Sequence, residues 1–281
     1  MTGMRTDGSA KIGKSVHGIT EVDLPAGSVT WCEYAASDIE VARQFFERLF
    51  GWTSRRKEFS SEGAYVTFMA SDPADTSPSK RRHDVAGLLA LGDLAGGPTR
   101  GSWLPVIPVP DVDQVTAQAA ALGANILSAP VGFPGLGRHA TLAGPSGVCC
   151  SLVDLHDGRT PRGPGCVRWA ELRASDPAKT ALFCWQAFGW HAESVRDHDW
   201  SLRTVFLHGG HRVLSMRKSE PGERSTCVPC IECSELDATM LRAMELGASL
   251  RERREDDPIH GRCVRLADPL GEEFMLVSST P

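Results

Sequence analysis

One long stretch of this chain occurs twice. The segment WCEYAASDIEVARQFFERLFGW begins at Trp31, and a related segment begins 138 positions later (169 − 31), at Trp169. Without a gap, the second copy repeats these residues of the first: Trp31, Glu33, Ser37, Asp38, Phe45, Phe50, Gly51 and Trp52. A repeat with so long a period predicts tandem domains, because the units of a solenoid are shorter.

Each copy predicts a strand, a cap and a helix. In the first copy, Val29–Ala36 alternates as a strand does, Asp38 is suited to cap a helix, and Gly51 is suited to end it. A weaker repeat of this pattern occurs four times, in residues 38–51, 111–123, 176–189 and 235–247. The sequence therefore predicts an α+β fold of four strand–helix–strands units, two in each half.

Composition suggests where these domains begin and end. We predict a flexible N-terminal tail (1–27), a first domain (28–153), a linker (154–165) and a second domain (166–281). In the later units the offset falls to 124 (247 − 123), so the second half lacks 14 residues (138 − 124). The difference is about the length of the loop Ser71–Asp84, which is either a lid over the first cavity or a plain surface loop.

Charge and composition exclude some partners. The formal net charge of −5 and the pI near 6.0 argue against a nucleic-acid ligand, which usually requires a basic surface. No apolar stretch has the length of a membrane span or the pattern of a signal peptide, so we expect a cytoplasmic protein without a membrane partner. The nine cysteines then indicate free thiols. A homodimer stays open.

These motifs resemble the vicinal oxygen chelate superfamily, which includes glyoxalase I, bleomycin-resistance proteins and extradiol dioxygenases. The resemblance is carried by SDIEVARQFFERLFGW with GLGRHATLAGPSG in the first half, and by ASDPAKTALFCWQAFGW with HGRCVRLADPLG in the second. More narrowly, the chain is similar to two-domain, glyoxalase-like actinobacterial proteins. The resemblance implies tandem glyoxalase-like domains, in which four βαβββ modules form half-barrel cavities. It does not imply one reaction, because a scaffold hosts many chemistries.

In metal-using members of that superfamily, the ligands lie on the first and last strands of the modules. Carried over, these positions hold Trp31, Trp169, Leu104, Val228, Cys150 and Phe274. Divalent metals require a defined shell of oxygen, nitrogen or thiolate donors. We therefore expect neither a metal nor another cofactor, and we treat these six residues as ligand-binding positions.

Strand alternation predicts which side chains face each cavity. One set would pack beneath the helices: Cys32, Tyr34, Ala36, Ala170, Leu172 and Ala174. The other set would face the cavities: Trp31, Glu33, Ala35, Trp169, Glu171 and Arg173, with Val228, Cys230 and Glu232 on a later strand of the second half.

Glu33 and Glu171 are the leading catalytic candidates. Apolar walls raise the pKa of a carboxyl group by desolvation, which makes it a useful acid or base near neutral pH. Trp31 and Trp169 would stack on an aromatic ligand. The alternative is structural, with each Glu hydrogen-bonded to a neighbour, such as Arg173 for Glu171, and each Trp in the core.

Two further motifs contain residue types that can do chemistry. His139 and His260 lie beside Gly-Arg pairs where a strand begins, so each is a candidate proton-transfer partner, although a rim position is the simpler interpretation. The C-x-x-C-x-x-C motif, at Cys227, Cys230 and Cys233, is typical of zinc or iron–sulfur sites. On a strand, however, successive members of this motif point to opposite faces.

Together these observations predict a metal-independent general acid/base enzyme of secondary metabolism. Its reaction would be an elimination, isomerisation or cyclisation of a hydrophobic, aromatic small molecule, of the kind catalysed by lyases and cyclases in antibiotic biosynthesis. One alternative is a resistance or carrier protein that sequesters its ligand without turnover. A second is metal-dependent glyoxalase or dioxygenase chemistry, with ligands from Glu33 and either Cys150 or His139.

Overall fold

The computed structural model describes residues 18–23, 28–29, 31–58, 64–72, 81–94, 100–133, 137–154, 159–197 and 202–279. In these ranges the chain is dominated by β-strands and has four α-helices, so the predicted α+β class is confirmed. Parts of three predicted segments lie outside the described residues: 1–17 and 24–27 of the tail, 73–80 of the loop, and 155–158 of the linker.

The first half of the chain extends to Asp154. In chain order it contains β1 (Thr20–Asp23), β2 (Trp31–Ala36), α1 (Ile39–Phe50), β3 (Thr53–Glu58), β4 (Ala64–Ser71), β5 (Arg82–Ala90), β6 (Ser102–Val109), α2 (Val112–Ala121), β7 (Asn125–Phe133), β8 (Gly137–Ala143) and β9 (Cys149–Asp154).

The second half follows a short connecting strand. In chain order the elements are β10 (Arg159–Arg162), β11 (Val167–Ala174), α3 (Pro177–Phe188), β12 (His191–Arg196), β13 (Leu202–His208), β14 (His211–Lys218), β15 (Thr226–Cys233), α4 (Leu236–Glu245), β16 (Ser249–Asp257), β17 (Gly261–Ala267) and β18 (Glu273–Ser278).

The two halves pair their strands in the same order. The first half runs β3-β4-β5-β2-β6-β9-β8-β7, and the second runs β12-β13-β14-β11-β15-β18-β17-β16. At the centre of each, two strands that precede helices pair antiparallel: β2 with β6, and β11 with β15. The halves are joined through β6 and β15, where Trp103 pairs with Cys227.

Local sequence explains where the helices begin and end. The Asp38 carboxylate accepts hydrogen bonds from the backbone N–H groups of Glu40 and Val41, which have no partner within the helix. Gly51 ends α1 in the left-handed conformation, with φ at 68°, where a Cβ would be strained. Asp176 and Gly189 cap α3 in the same way. These boundaries were predicted from sequence.

The main hydrophobic core includes residues of both halves. It contains apolar residues of the helices together with Cys32, Tyr34 and Ala36 of β2, as alternation predicts. Aromatic rings connect the halves, because Phe274 of β18 lies 5.9 Å from Phe45 and 5.6 Å from Phe46 between ring centroids. The helix-bearing faces of the two halves of this continuous sheet therefore share one core.

The structure differs from the sequence prediction at the tail and the linker. Part of each forms a strand, and the two strands pair antiparallel, with Thr20 opposite Arg162 and Asp23 opposite Arg159. Both strands are short and polar, so neither has the hydrophobic alternation that identifies a strand in a sequence. Their pairing also joins positions that are far apart in the chain.

Candidate functional site

The faces of the sheets that carry no helix form two smaller clusters. In the first half this helix-free face consists of Ala35, Tyr65, Leu89, Leu94, Leu104, Leu127 and Cys149, with Trp31 against them. In the second half it consists of Val228, Cys230, Cys263, Met275 and Val277, with Trp169 against them. Among the described residues, neither cluster includes a residue of the four α-helices. The predicted faces of Trp31, Leu104, Trp169, Val228 and Cys230 are thus confirmed.

Glu33 lies at the centre of the first-half face and has no exposed surface. Its Oε1 accepts a hydrogen bond from the Tyr65 hydroxyl at 2.8 Å, and its Oε2 accepts one from the Ser151 hydroxyl at 2.5 Å. His139 Nε2 lies 3.1 Å from the same Oε2. Because an ionised carboxylate can only accept, Nε2 must carry the proton of that contact.

The environment of Glu33 favours the ionised carboxylate. Burial alone would raise its pKa, but the charge of His139 and the hydrogen bonds from His139, Ser151 and Tyr65 hold it below its ordinary value. Burial, and then the charge of Glu33, raise the pKa of Tyr65 well above normal, so Tyr65 stays a donor. The predicted rise in the pKa of Glu33 is therefore wrong, because the donors outweigh desolvation.

A glycine makes room for this arrangement. Gly87 of β5 pairs in register with Glu33. A Cβ added at Gly87 would lie 1.9 Å from the Tyr65 hydroxyl oxygen and 2.8 Å from Glu33 Cγ, closer than real Cβ atoms approach. The side chains of Tyr65 and Glu33 thus occupy the space that another residue at position 87 would need.

The second-half face has a different chemistry at the equivalent positions. Glu171 matches Glu33, and Arg203 matches Tyr65, at the offset of 138. At the offset of 124, Cys263 matches His139, and Met275 matches Ser151. The second half therefore repeats the carboxylate of the first but lacks its histidine and both hydroxyl donors.

Glu171 is part of a buried network of ion pairs. Its carboxylate oxygens lie 3.4 Å from Arg203 and 3.6 Å from Arg217. Arg203 also pairs with Asp197 at 2.9 Å and Asp257 at 2.8 Å. The cavity between these side chains is only about 20 Å³, enough for a water molecule. Such a face does not suit an apolar ligand.

Two predicted cavity residues lie on the wrong face. Cys150 and Phe274 both belong to the core shared with the helices, not to a helix-free face. Their neighbours Ser151 and Met275 have the predicted orientation instead. A shift of one residue along a strand reverses the face of every side chain, and the family positions were carried over with such a shift on β9 and β18.

The remaining predicted residues have mixed outcomes. Arg173 is buried, but its partners are Glu223 at 2.8 Å and Glu273 at 2.6 Å rather than Glu171, so that predicted pairing is wrong. Glu232 is half-buried on β15. His260 is also half-buried, with its ring centroid 6.3 Å from that of Trp169. Burial, as the main cause, lowers the pKa of His260.

His139 and the three cysteines of the C-x-x-C-x-x-C motif are buried. His139 is only 6% exposed, so the rim position that seemed simpler is wrong. Cys227 and Cys233 lie in the shared core, whereas Cys230 lies on the second-half face, so the three sulfurs do not converge. All nine cysteines are buried free thiols. Burial raises the pKa of the Cys230 thiol well above normal.

Sequence reasoning missed Tyr65 and Ser151. Tyr65 is one of two tyrosines in the chain and lies on a predicted strand, which is a weak signal. Ser151 lies one residue from the position that was chosen on β9. Both contact Glu33 across 32 and 118 positions of sequence, and only the tertiary fold reveals such contacts.

The donor set does not fit the metal that the fold family implies. Within the described ranges, no group of three His, Cys, Asp or Glu residues is close enough to hold an ion. In the first half, the carboxylate of Glu33 is already taken by hydrogen-bond donors. In the second, the guanidinium groups of Arg203 and Arg217 lie beside Glu171 and would repel a cation.

The helices give no sign of a membrane segment. None of those that the structure describes is both long enough and apolar enough to cross a membrane.

Comparison with known proteins agrees with this fold. Residues 169–277 match the family model described as a glyoxalase-like domain. The chain has the fold of the 2,3-dioxygenase LapB from Pseudomonas sp. KL28, with a TM-score of 0.60 at 14% identity, over 90% of this chain and 93% of that one. The second half of the chain is thus similar to a glyoxalase-like domain, and the chain as a whole shares its fold with this dioxygenase.

Its curated relatives include two proteins from Streptomyces. The chain is 27% identical to the anthracycline biosynthesis protein DauV of Streptomyces sp. strain C5, over 89% of this chain and 93% of the relative. It is 26% identical to the anthracycline biosynthesis protein DnrV of Streptomyces peucetius, with the same coverage.

Proposed function

We propose that the protein is a metal-independent tailoring enzyme of secondary metabolism that catalyses proton transfer on a polycyclic aromatic small molecule. The contact between the buried Glu33 carboxylate and His139 carries this proposal. In this arrangement His139 exchanges the proton with the ligand, whereas Glu33 holds the imidazole ring in place. An elimination, isomerisation or cyclisation each requires such a group.

The contact with Glu33 fixes the tautomer of His139. Nε2–H of the ring is directed at the carboxylate, which holds the imidazole in one orientation for proton exchange with the ligand. Tyr65 and Ser151 occupy other lone pairs of Glu33 and keep it ionised. The role predicted for Glu33 from sequence thus passes to His139, and Glu33 becomes its positioning residue.

The ligand class rests on the face and on the relatives. Beyond the polar partners of Glu33 the first-half face is apolar, and Trp31 offers an indole ring for stacking. DauV and DnrV are described as anthracycline biosynthesis proteins, and anthracyclines contain fused aromatic rings. We infer that an anthracycline-type intermediate binds on the first-half face.

We propose further that the halves are tandem glyoxalase-like domains, each made of two βαβββ modules around a half-barrel cavity, in a cytoplasmic protein. Only the first would be catalytic, because Cys263 and Met275 replace His139 and Ser151 in the second. The catalytic roles predicted from sequence for Glu171 and His260 have no place in this proposal. Ligand binding should therefore saturate at one molecule per chain.

Deuterium exchange tests the reaction without knowledge of the natural substrate. The protein is incubated in D₂O with an anthracyclinone that bears an enolisable ketone, and deuterium uptake next to the carbonyl is followed by mass spectrometry. We expect wild-type protein to accelerate uptake and His139→Gln to abolish the acceleration while binding persists. Glu33→Gln should reduce it, and Glu171→Gln should leave it unchanged. Equal rates in wild type and His139→Gln would refute the proposal.

A sequestering protein is the second candidate. It is favoured by one observation, namely that Glu33 is completely buried and both its oxygens already have partners, as in a purely structural cluster. This candidate predicts tight binding of the anthracyclinone with no deuterium uptake above the rate without protein. Metal analysis of the untagged protein completes the test, because a stoichiometric metal would contradict metal independence.

A further inference from the structure

Two polar atoms on the first-half face lack a partner. Trp31 Nε1 and Thr141 Oγ1 are buried, and neither has a hydrogen-bond partner among the described residues. Thr141 has no exposed surface. A buried polar group without a hydrogen bond destabilises a fold by about 1–3 kcal/mol, so such groups are uncommon and call for an explanation.

The two residues lie in one row across the sheet. Trp31 of β2 pairs with Val106 of β6, Val106 pairs with Ser151 of β9, and Ser151 pairs with Thr141 of β8. Three strand spacings separate their backbones, roughly 14 Å along a flat sheet. The Ser151 hydroxyl between them already donates to Glu33. A ligand that reaches both ends of this row passes beside the Glu33–His139 contact.

The second half shows that the fold can satisfy the equivalent tryptophan. Trp169 Nε1 donates to Ser215 Oγ at 2.9 Å. Ser215 pairs with Glu171 as Gly87 pairs with Glu33, so Gly87 is its counterpart in the first half. Because Gly87 has no hydroxyl, Trp31 has no such acceptor.

The counterpart of Thr141 also has partners. At the offset of 124 this counterpart is Arg265, which pairs with Met275 as Thr141 pairs with Ser151. Its Nη atoms bond to Glu252 at 2.7 Å and to Glu273 at 3.2 Å. In the second half both side chains thus have partners within the chain, although Arg265 Nε is buried without one. In the first half, neither Trp31 Nε1 nor Thr141 Oγ1 has a partner among the described residues.

We propose that Trp31 Nε1 and Thr141 Oγ1 bind oxygen atoms of the ligand and make the first-half face specific for oxygenated polycyclic aromatics. The ligand presents ketone or phenol oxygens towards both ends of the row, while its rings lie on the apolar residues between. This inference rests on the proposed function and identifies the chemical groups that the site recognises. The indole N–H donates to an acceptor oxygen, and the hydroxyl of Thr141 serves as donor or acceptor.

A matched pair of soluble probes tests the inference. Anthraquinone-2-sulfonate and anthracene-2-sulfonate share a three-ring frame and a charge, and they differ in the two carbonyl oxygens. Binding is measured by equilibrium dialysis against the full chain. We expect wild type to prefer the quinone, and Thr141→Val and Trp31→Phe each to weaken quinone binding about three- to tenfold, as expected for one hydrogen bond. Binding of the anthracene should change less than about twofold.

Two controls separate hydrogen bonding from shape. Thr141→Ser keeps the hydroxyl and should keep the preference for the quinone. Ser215→Ala removes the partner of Trp169 in the second half and should leave the affinity for both probes unchanged. If Thr141→Val does not fold, the probe preference of wild type and the probe affinities of Trp31→Phe still test the inference. The inference is overturned if wild type binds neither probe or both equally, or if the variants weaken both probes equally.

These results are independent of the proposed reaction. If His139→Gln exchanges deuterium as fast as wild type while the quinone preference depends on Thr141, the proton-transfer mechanism fails and the inference on recognition holds. If deuterium exchange depends on His139 but the preference for the quinone is absent, the proton-transfer mechanism holds and the inference on recognition fails.

Discussion

Glu33 should contribute stability only while it is ionised. Its pKa in the folded protein lies below the ordinary value of 4.5, so the contribution is present above about pH 4.5 and is lost as the pH falls through the folded pKa. At pH 7, Glu33→Gln should lower the free energy of unfolding by about 1.5–3 kcal/mol, the range for hydrogen bonds to a charged group. Urea denaturation at pH 7 and at lower pH measures both values.

An exposed carboxylate provides the control for that prediction. Glu40 pairs with Arg43 on the surface of α1, and this contact lowers its pKa to about 2. Water screens the pair, so Glu40→Gln should leave the unfolding free energy nearly unchanged at every pH. A loss as large as that of Glu33→Gln would show that burial is not the cause of the effect.

Gly87 should be the position on the first-half face that is most sensitive to added volume. In Gly87→Ala, the new methyl group would overlap the Tyr65 hydroxyl and Glu33, so we expect a loss of about 1–3 kcal/mol in unfolding free energy. Thermal and urea denaturation measure it. The double variant Gly87→Ala with Tyr65→Ala should recover part of the loss caused by overlap. If the losses in unfolding free energy of the two single variants simply add in the double variant, steric overlap with Tyr65 is not the cause of the effect of Gly87→Ala.

Among the elements, β13 should be the most dependent on charge. Its Arg203 is 5% exposed and faces the carboxylates of Glu171, Asp197 and Asp257. Removal of one partner from a buried ionic network costs about 3–5 kcal/mol, because the remaining charges are uncompensated. Arg203→Met should cause a loss of this size in urea denaturation. Arg253→Met, at an exposed ion pair, should have little effect, and equal losses would contradict the argument.

Elements with local signals were predictable, and elements without them were not. The caps of α1 at Asp38 and Gly51 depend on neighbouring residues only, so the sequence identifies them. The outer strand β16 (Ser249–Asp257) reads SLRERREDD and has mostly exposed side chains, so no apolar alternation marks it. The strands β1 and β10, in the predicted tail and linker, form only by pairing with each other, and most of the first half lies between them in the sequence.

In the candidate site, too, the features that depend on local sequence were predictable, and those that depend on distant residues were not. The faces of Trp31 and Glu33 follow from alternation along one strand, which is local information. The partners of Glu33 come from β4, β8 and β9, and their identity decides whether its pKa rises or falls. The sequence showed a carboxylate among apolar residues and predicted a rise. The three donors, visible only in the fold, reverse that sign.

At the scale of the whole molecule, the halves share one core, and an acidic turn lies at their contact. Asp268 and Glu272 form this turn between β17 and β18, and the Asp268 carboxylate accepts hydrogen bonds from the backbone of Leu270 and Glu272. A Cβ added at Gly101 of the first half would lie 2.9 Å from Glu272 Cγ. Glu272 is 5% exposed and forms an ion pair with Arg224.

Glu272 should make the stability of the whole molecule depend on pH near neutrality. Burial, only partly offset by Arg224, raises its pKa from 4.5 to about 7. The folded state therefore binds a proton that the unfolded state has lost, so stability falls as the pH rises from about 4.5 to about 7. The shift corresponds to a change of about 3 kcal/mol. Glu272→Gln should remove this decline, as shown by urea denaturation across that range.

The adjacent glutamate provides a control of opposite sign. Although burial alone would raise the pKa of Glu273, its contact with Arg173 lowers it below the ordinary value. Glu273 is thus stabilising when ionised, so Glu273→Gln should lose stability relative to wild type as the pH rises through the folded pKa to about 4.5, and should then decline in parallel with wild type up to about pH 7. Glu272→Gln should instead gain stability relative to wild type between about pH 4.5 and about pH 7. A parallel decline of the two variants over this range would refute the assignment of the decline to Glu272, because the two residues are neighbours in the chain but only Glu272 lies beside Gly101.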